Sequence, residues 1–180
     1  MREVEVKYQV RDVEALLVAL KSRGIELAGP VYQDDHAYAP DGWSYGDARR
    51  GVSFVRLRTV GGQHTFTLKR PAENALSCDE FETAVSDREQ MDRAIRAMGF
   101  HPTVRITKVR RTASMAGVVL CVDEVVGLGT FLELEQMVGD EVSGEAVQAE
   151  LAGFVASLDV DAERTAETYD SLVRAALTSA

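Results

Sequence analysis

The chain has 180 residues, a mass of 19.7 kDa and a formal net charge of −9. Hydrophobic residues make up 46% and charged residues 27%, a globular composition that excludes long disorder and lets one domain, residues 1–180, bury about two thirds of its unfolded surface. No apolar run approaches the ~20 residues of a membrane helix, MREVEVK carries no apolar signal region, and the acidic total argues against a general nucleic-acid binder. Cys78 and Cys121 lack metal-ligand spacing, so neither a disulfide framework nor a zinc site is expected, and a cytoplasmic setting with reduced thiols is the default.

In chain order, Glu3 to Val10 alternates charged and apolar residues as a strand does. Asp12 to Arg23 reads as a helix with Asp12 as cap, an apolar stripe of Leu16, Leu17 and Leu20, and Gly24 as its stop. A second strand is expected over Val31 to Tyr38, and Pro40 to Gly51 is turn-rich and reads as a loop. Strands follow at Val52 to Val60, Gln63 to Arg70 and Ser77 to Val85, with Gly61-Gly62 as a hairpin turn. Ser86 to Met98 is helical, capped by Ser86 or Asp87 and ended by Gly99. Thr103 to Ser114, Val118 to Val125 and Thr130 to Val138 are strands again. Two tail helices are expected, Gly144 to Leu158 and Ala162 to Leu177. About eight strands with helices between strand groups predict an α+β fold, an antiparallel sheet or closed barrel.

Side chains at i and i+2 share one face of a strand. One face collects the acids Glu3, Glu5, Glu80, Glu82, Asp123, Glu133 and Glu135 and the bases Lys7, Arg56, Arg58, Lys69, Lys108 and Arg110, while the other is Val, Leu and Phe. A solvent face explains any one such strand. Repeated doublets of a single sign, Glu-x-Glu three times, Arg-x-Arg and Lys-x-Arg, are harder to explain that way, because like charges two residues apart repel. If the sheet closes with this face inward, the carboxylates suit Mg²⁺ or Mn²⁺ and the bases suit phosphate oxygens. The inventory describes metal plus polyphosphate.

At that point the sequence resembles the CYTH superfamily of triphosphate tunnel metalloenzymes, which includes class IV adenylyl cyclases, thiamine triphosphatases and inorganic triphosphatases. The resemblance rests on an ordered set: Glu3-x-Glu5-x-Lys7, Gln33-x-Asp35, Arg56-x-Arg58, Lys69, Glu80-x-Glu82, Lys108-x-Arg110, Asp123, the segment from Asp123 to Glu135 containing Gly-Leu-Gly-Thr-Phe-Leu-Glu-Leu-Glu, and Thr168-Tyr169-Asp170-Ser171-Leu172. It implies an eight-stranded antiparallel tunnel with a charged lumen and surrounding helices. It implies that the six bases hold a small-molecule triphosphate. Glu3, Glu5, Glu133 and Glu135 are its expected metal ligands, with Glu80, Glu82 and Asp123 as further candidates. Lys7 is a candidate to position or activate the nucleophile if surrounding cations lower its pKa. A homodimer is possible on the family pattern.

Two reactions share these residues: hydrolysis of a nucleoside, thiamine or inorganic triphosphate, and cyclisation of ATP to cyclic AMP and pyrophosphate. The Gly-Leu-Gly segment points to the cyclase-like branch. Ala37 stands where the family often has an aromatic; the lack of the cyclase His-Phe pair ahead of Glu3 and the breadth of hydrolysis within the superfamily favour hydrolysis. A third reading is a non-catalytic polyphosphate or nucleotide sensor. Trp43 and Tyr45 in the loop either stack on an organic group or anchor the loop. His36, His64 and His101 receive no role.

Overall fold

A computed structural model describes residues 2–72, 74 and 76–179. The elements run β1 (Arg2–Val10), α1 (Val13–Ser22), β2 (Val31–Pro40), β3 (Phe54–Val60), β4 (Gln63–Pro71), β5 (Ser77–Val85), α2 (Arg88–Ala97), β6 (Phe100–Met115), β7 (Val118–Val125), β8 (Gly129–Val138), α3 (Gly144–Ser157), β9 (Ala162–Thr165) and α4 (Tyr169–Ser179). The sheet order is β5-β4-β3-β2-β6-β7-β8-β1-β9, and β1 also pairs with β5. That last pairing closes an antiparallel barrel of eight strands, leaving β9 as one extra strand among the described residues. The expected α+β barrel is therefore the observed fold.

Alternation decides which way each strand faces. Val4, Val6, Tyr8 and Val10 of β1, Leu120 and Val122 of β7, and Leu132, Leu134 and Val138 of β8 lie outside and pack with Leu16 and Leu20 of α1 and Val147, Leu151 and Val155 of α3. On the far wall, α2 covers Tyr38, Val55 and Leu57 with Ile95. Asp12 and Asp87 cap α1 and α2, their carboxylates accepting from the amides of Ala15 and Gln90 at 2.9 and 3.0 Å. The β3–β4 hairpin turns on Gly61 and Gly62, whose φ of 55° and 81° suits the primed turn that a twisted hairpin needs. Pro102 lacks an amide hydrogen and stands where the β2–β6 register jumps between His36 and Tyr38, the kind of irregularity at which a sheet tolerates proline.

One expectation is corrected. The last helix begins at Tyr169, not Ala162; Ala162–Thr165 is strand β9, antiparallel to Lys7–Val10 of β1. The cause is an edge. β5 pairs with only residues 2–4 of β1, so the backbone of residues 7–10 would be left open on that side. Filling those hydrogen bonds outweighs the helical preference of Ala-Glu-Arg-Thr.

Leu132 has no exposed surface in the outer core. Leu132→Ala is expected to lower stability by about 2–5 kcal/mol, read as a lower urea midpoint at unchanged slope.

Candidate active site

Twelve of the thirteen residues predicted to face inward line one cavity of about 280 Å³. Asp123, the thirteenth, is fully buried just behind that surface. Strand register explains the acid wall. Glu5 of β1 pairs with Glu135 of β8, and Lys7 with Glu133, so three carboxylates and an ammonium converge. Carboxylate oxygens of Glu5, Glu133 and Glu135 lie within 4.8 Å of one another. Glu3 sits beyond them and turns to Lys69, 3.7 Å away, beside Glu80.

Every predicted base has an acidic partner. Lys7 lies 3.3 Å from Glu5 and 3.1 Å from Glu133. Arg110 is the hub: it donates twice to Asp123, at 2.6 and 2.7 Å, to Glu135 at 3.1 Å, and to Glu133. Lys108 reaches Asp123 at 2.7 Å. Arg58 forms a two-pronged pair with Asp35, both contacts at 2.7 Å. Arg56 donates to Thr67 at 3.1 Å and approaches Glu82 at 3.5 Å; Lys69 pairs with Glu80. In the ring of strands, β8 with its glutamates stands across the lumen from β3 with its arginines.

The protonation pattern follows from burial and neighbours. Burial pushes Glu133 up, but Lys7, Arg110 and Lys108 outweigh it and hold that carboxyl well below its ordinary range. Burial, with Glu80 and Glu135 adding to it against Lys69, lifts Glu3 to about 8, and Glu5 is raised as well. Lys7 is depressed by burial but raised more by Glu5 and Glu133, so its ammonium is held above the ordinary value. The immediate partners of Lys7 are carboxylates, not cations. Lys108, by contrast, is lowered by burial and then by Arg110.

Three contributors carried no role in the sequence reading. Asp35 was visible only as part of a motif; its job is to hold Arg58, which it faces in the β2–β3 register. Arg49 of the loop between β2 and β3 lines the cavity, donates to Asp170 at 3.1 Å and Ser171 at 3.2 Å, and lies over the rings of Phe54 and Trp43 at 4.4 and 5.3 Å. Tyr169, first residue of α4, donates its hydroxyl to Asp123 at 3.0 Å. Trp43 is buried edge-on against Phe54 and Tyr45, its indole N–H donating to Ala48 O at 3.3 Å, so it anchors the loop. Cys78 lines the cavity and Cys121 is buried; neither is in a disulfide, and burial first of all pushes both up, Cys78 to about 12.

The donor set fits a divalent cation. Three clustered carboxylates offer hard oxygen ligands, and Glu5 is raised by burial first and then by Glu133 and Glu135 against Lys7 and Lys69, the setting of a carboxylate that gains from a cation. Bases and carboxylates thus share one lumen, and the Glu5, Glu133 and Glu135 cluster is the part of it that could bind a metal. The chain belongs to the CYTH domain family, which matches residues 1–169. That family is metal-dependent and directed at triphosphates, its members being adenylyl cyclases or triphosphatases. MJ0240 of Methanocaldococcus jannaschii, provisionally named an adenylate cyclase, is 28% identical over 162 residues, 89% of this chain and 91% of that protein. The PH1819 protein of Pyrococcus horikoshii superposes with a TM-score of 0.78 at 21% identity over 95% of this chain and 97% of its own. HpAC1 of Hippeastrum, provisionally an adenylyl cyclase but described as having a dominant triphosphatase activity, gives a TM-score of 0.62 at 18% identity, covering 96% and 95%. Among the described residues, no helix is long and apolar enough to cross a membrane.

Burial pushes Asp35 up, but the hydrogen bonds and charge of Arg58 outweigh it and hold the carboxyl below its ordinary value. A carboxyl depressed in the folded state stabilises above its unfolded pKa of about 3.9 and loses that contribution as pH falls through the folded value. Asp35→Asn should therefore cost about 1–3 kcal/mol at neutral pH, with the gap to wild type shrinking below about pH 4. Urea denaturation at pH 7 and pH 3 compares the two.

Proposed function

We propose that the chain hydrolyses a triphosphate in the presence of Mg²⁺ or Mn²⁺. The reading is carried by one observation: the Glu5–Glu133–Glu135 cluster stands across a single lumen from Arg56 and Arg58, with Lys69 on the neighbouring strand. Glu5, Glu133 and Glu135 would hold the cation, with Glu3 and Glu80 near enough to serve if the cluster rearranges. The metal would supply charge neutralisation and a template for phosphate oxygens. Arg56, Arg58 and Lys69 would grip the chain of phosphates from one side and Lys108, Arg110 and Lys7 from the other. Guanidinium forks match paired phosphate oxygens, and ammoniums act as point charges. Because each base is already paired with a carboxylate, binding would be an exchange of carboxylate for phosphate. The bases then stabilise charge that spreads over the phosphoryl oxygens as the bond to the leaving group loosens.

Hydrolysis needs only a water next to the bound phosphate, and HpAC1 is described by that activity. Cyclisation of ATP is the second reading, favoured by the name of the Methanocaldococcus relative. Both reactions use the same cations, and only the attacking oxygen and the phosphorus it meets differ.

Phosphorus NMR of ATP, thiamine triphosphate and inorganic triphosphate, each with Mg²⁺ and with Mn²⁺, separates them. Orthophosphate plus a diphosphate, with no cyclic nucleotide, is the expected outcome; cyclic AMP plus pyrophosphate would replace hydrolysis by cyclisation. Glu5→Gln and Glu133→Gln are expected to abolish metal-dependent turnover with the circular dichroism of the barrel retained, and near-normal turnover would remove them from the metal set. Arg58→Ala is expected to weaken triphosphate binding by about 1–3 kcal/mol. An unchanged dissociation constant would place Arg58 outside the phosphate grip.

A further inference from the structure

Lys7 comes from β1 and Lys108 from β6, yet both ammoniums lie against one aromatic ring. Their Nζ atoms are 4.3 and 4.7 Å from the centroid of Tyr169. The ring is itself fixed at three points. Its hydroxyl donates to Asp123, its edge meets Phe131 with centroids 5.2 Å apart, and the backbone behind it begins α4. The segment leading into α4 also turns the Glu167 carbonyl to Lys7 Nζ at 3.4 Å.

We propose that Tyr169 is a positioning residue of the triphosphate site, its ring serving as a shared, uncharged counterpart that holds Lys7 and Lys108 in place. The proposal rests on the triphosphate reading above. A ring face attracts and orients an ammonium through its quadrupole without adding negative charge. A carboxylate in the same position would hold the lysines as firmly but would repel the incoming phosphates and compete with them for the same N–H bonds. The distinction matters most for Lys7. Its other anchors, Glu5 and Glu133, belong to the carboxylate set that fits a cation. A carboxylate oxygen shared with a divalent ion is a weaker anchor for an ammonium, whereas the ring and the Glu167 carbonyl are unaffected. Lys108 forms its ion pair with Asp123, which it shares with Arg110 and with the Tyr169 hydroxyl. Tyr169 thus touches both lysines and the acid that holds one of them.

The test is calorimetric titration of inorganic triphosphate, first in EDTA and then with Mg²⁺. The proteins are wild type, Tyr169→Phe, Tyr169→Leu, a protein with pentafluorophenylalanine at position 169, and Arg58→Ala as control. Pentafluorophenylalanine keeps the shape of phenylalanine but loses the negative ring face, so it separates electrostatics from packing even if Tyr169→Leu fails to fold. Tyr169→Phe is expected to bind within about two-fold of wild type, and the fluorinated and leucine proteins about ten-fold more weakly, at a melting temperature that for the fluorinated protein follows Tyr169→Phe. Equal affinity of the fluorinated protein and Tyr169→Phe would overturn the proposal. A full loss already present in Tyr169→Phe would overturn it too, by assigning the effect to the hydroxyl on Asp123. If wild type and Arg58→Ala alike fail to bind triphosphate, the triphosphate reading itself falls and takes this one with it; a weakened Arg58→Ala beside unaffected Tyr169 variants removes only the role of Tyr169.

Discussion

Closure of the sheet through three residue pairs, Arg2–Val4 against Ser77–Asp79, is the constraint on which the rest depends. An open sheet with the same strands would place its charged face in water, where thirteen ionic side chains are worth little to one another. Joining β1 to β5 turns that face into a lumen. Lys7, Lys108, Asp123 and Glu133 are buried there, each such charge must find an opposite charge, and the register of each strand pair decides which one it finds. Glu5 meets Glu135 and Lys7 meets Glu133 because β1 and β8 run antiparallel in one register, and for no other reason.

The lumen is not electrically balanced. Among the described residues, and with Asp35 included, eight strand-borne carboxylates stand against six strand-borne bases. Buried like charges relieve themselves by taking up protons or cations. Glu3, lifted to about 8 by burial first and then by Glu80 and Glu135, is disposed to the first, and the cluster of Glu5, Glu133 and Glu135 is suited to the second. A cation bound there would also loosen Lys7 and Arg110, since Glu5, Glu133 and Glu135 would have less to offer them. The acids and bases are therefore one system, in which what the carboxylates hold sets what their paired bases can hold.

Much of this was legible in the sequence because alternation is a local property. Glu-x-Glu and Arg-x-Arg show which residues share a face before any strand is paired, and Val4, Val6, Leu132 and Leu134 show which face is the core. What was hidden depends on pairing across distance. Asp35 and Arg58 are opposite one another only after the loop between β2 and β3 has been crossed, and nothing local states that register. Arg49 lies on a loop with no period to read. Tyr169 stood in a recognisable motif, but its contact with lysines from β1 and β6 exists only once α4 has been placed. The strand β9 was misjudged for the same reason: Ala162–Thr165 is shaped by a vacancy beside β1, not by its own propensity.

The shared use of each strand has a consequence for how the gene can change. In β8, Leu132 and Leu134 face the core while Glu133 and Glu135 face the lumen. Insertion or deletion of one codon within such a strand exchanges the two faces downstream of the lesion, because the side-chain period is two. Leucines would enter the charged lumen and glutamates the outer core, so folding and chemistry would fail together. Length variation in this lineage should then concentrate in connections such as that between β2 and β3, while the strands accept replacement of residues and resist any change in their number.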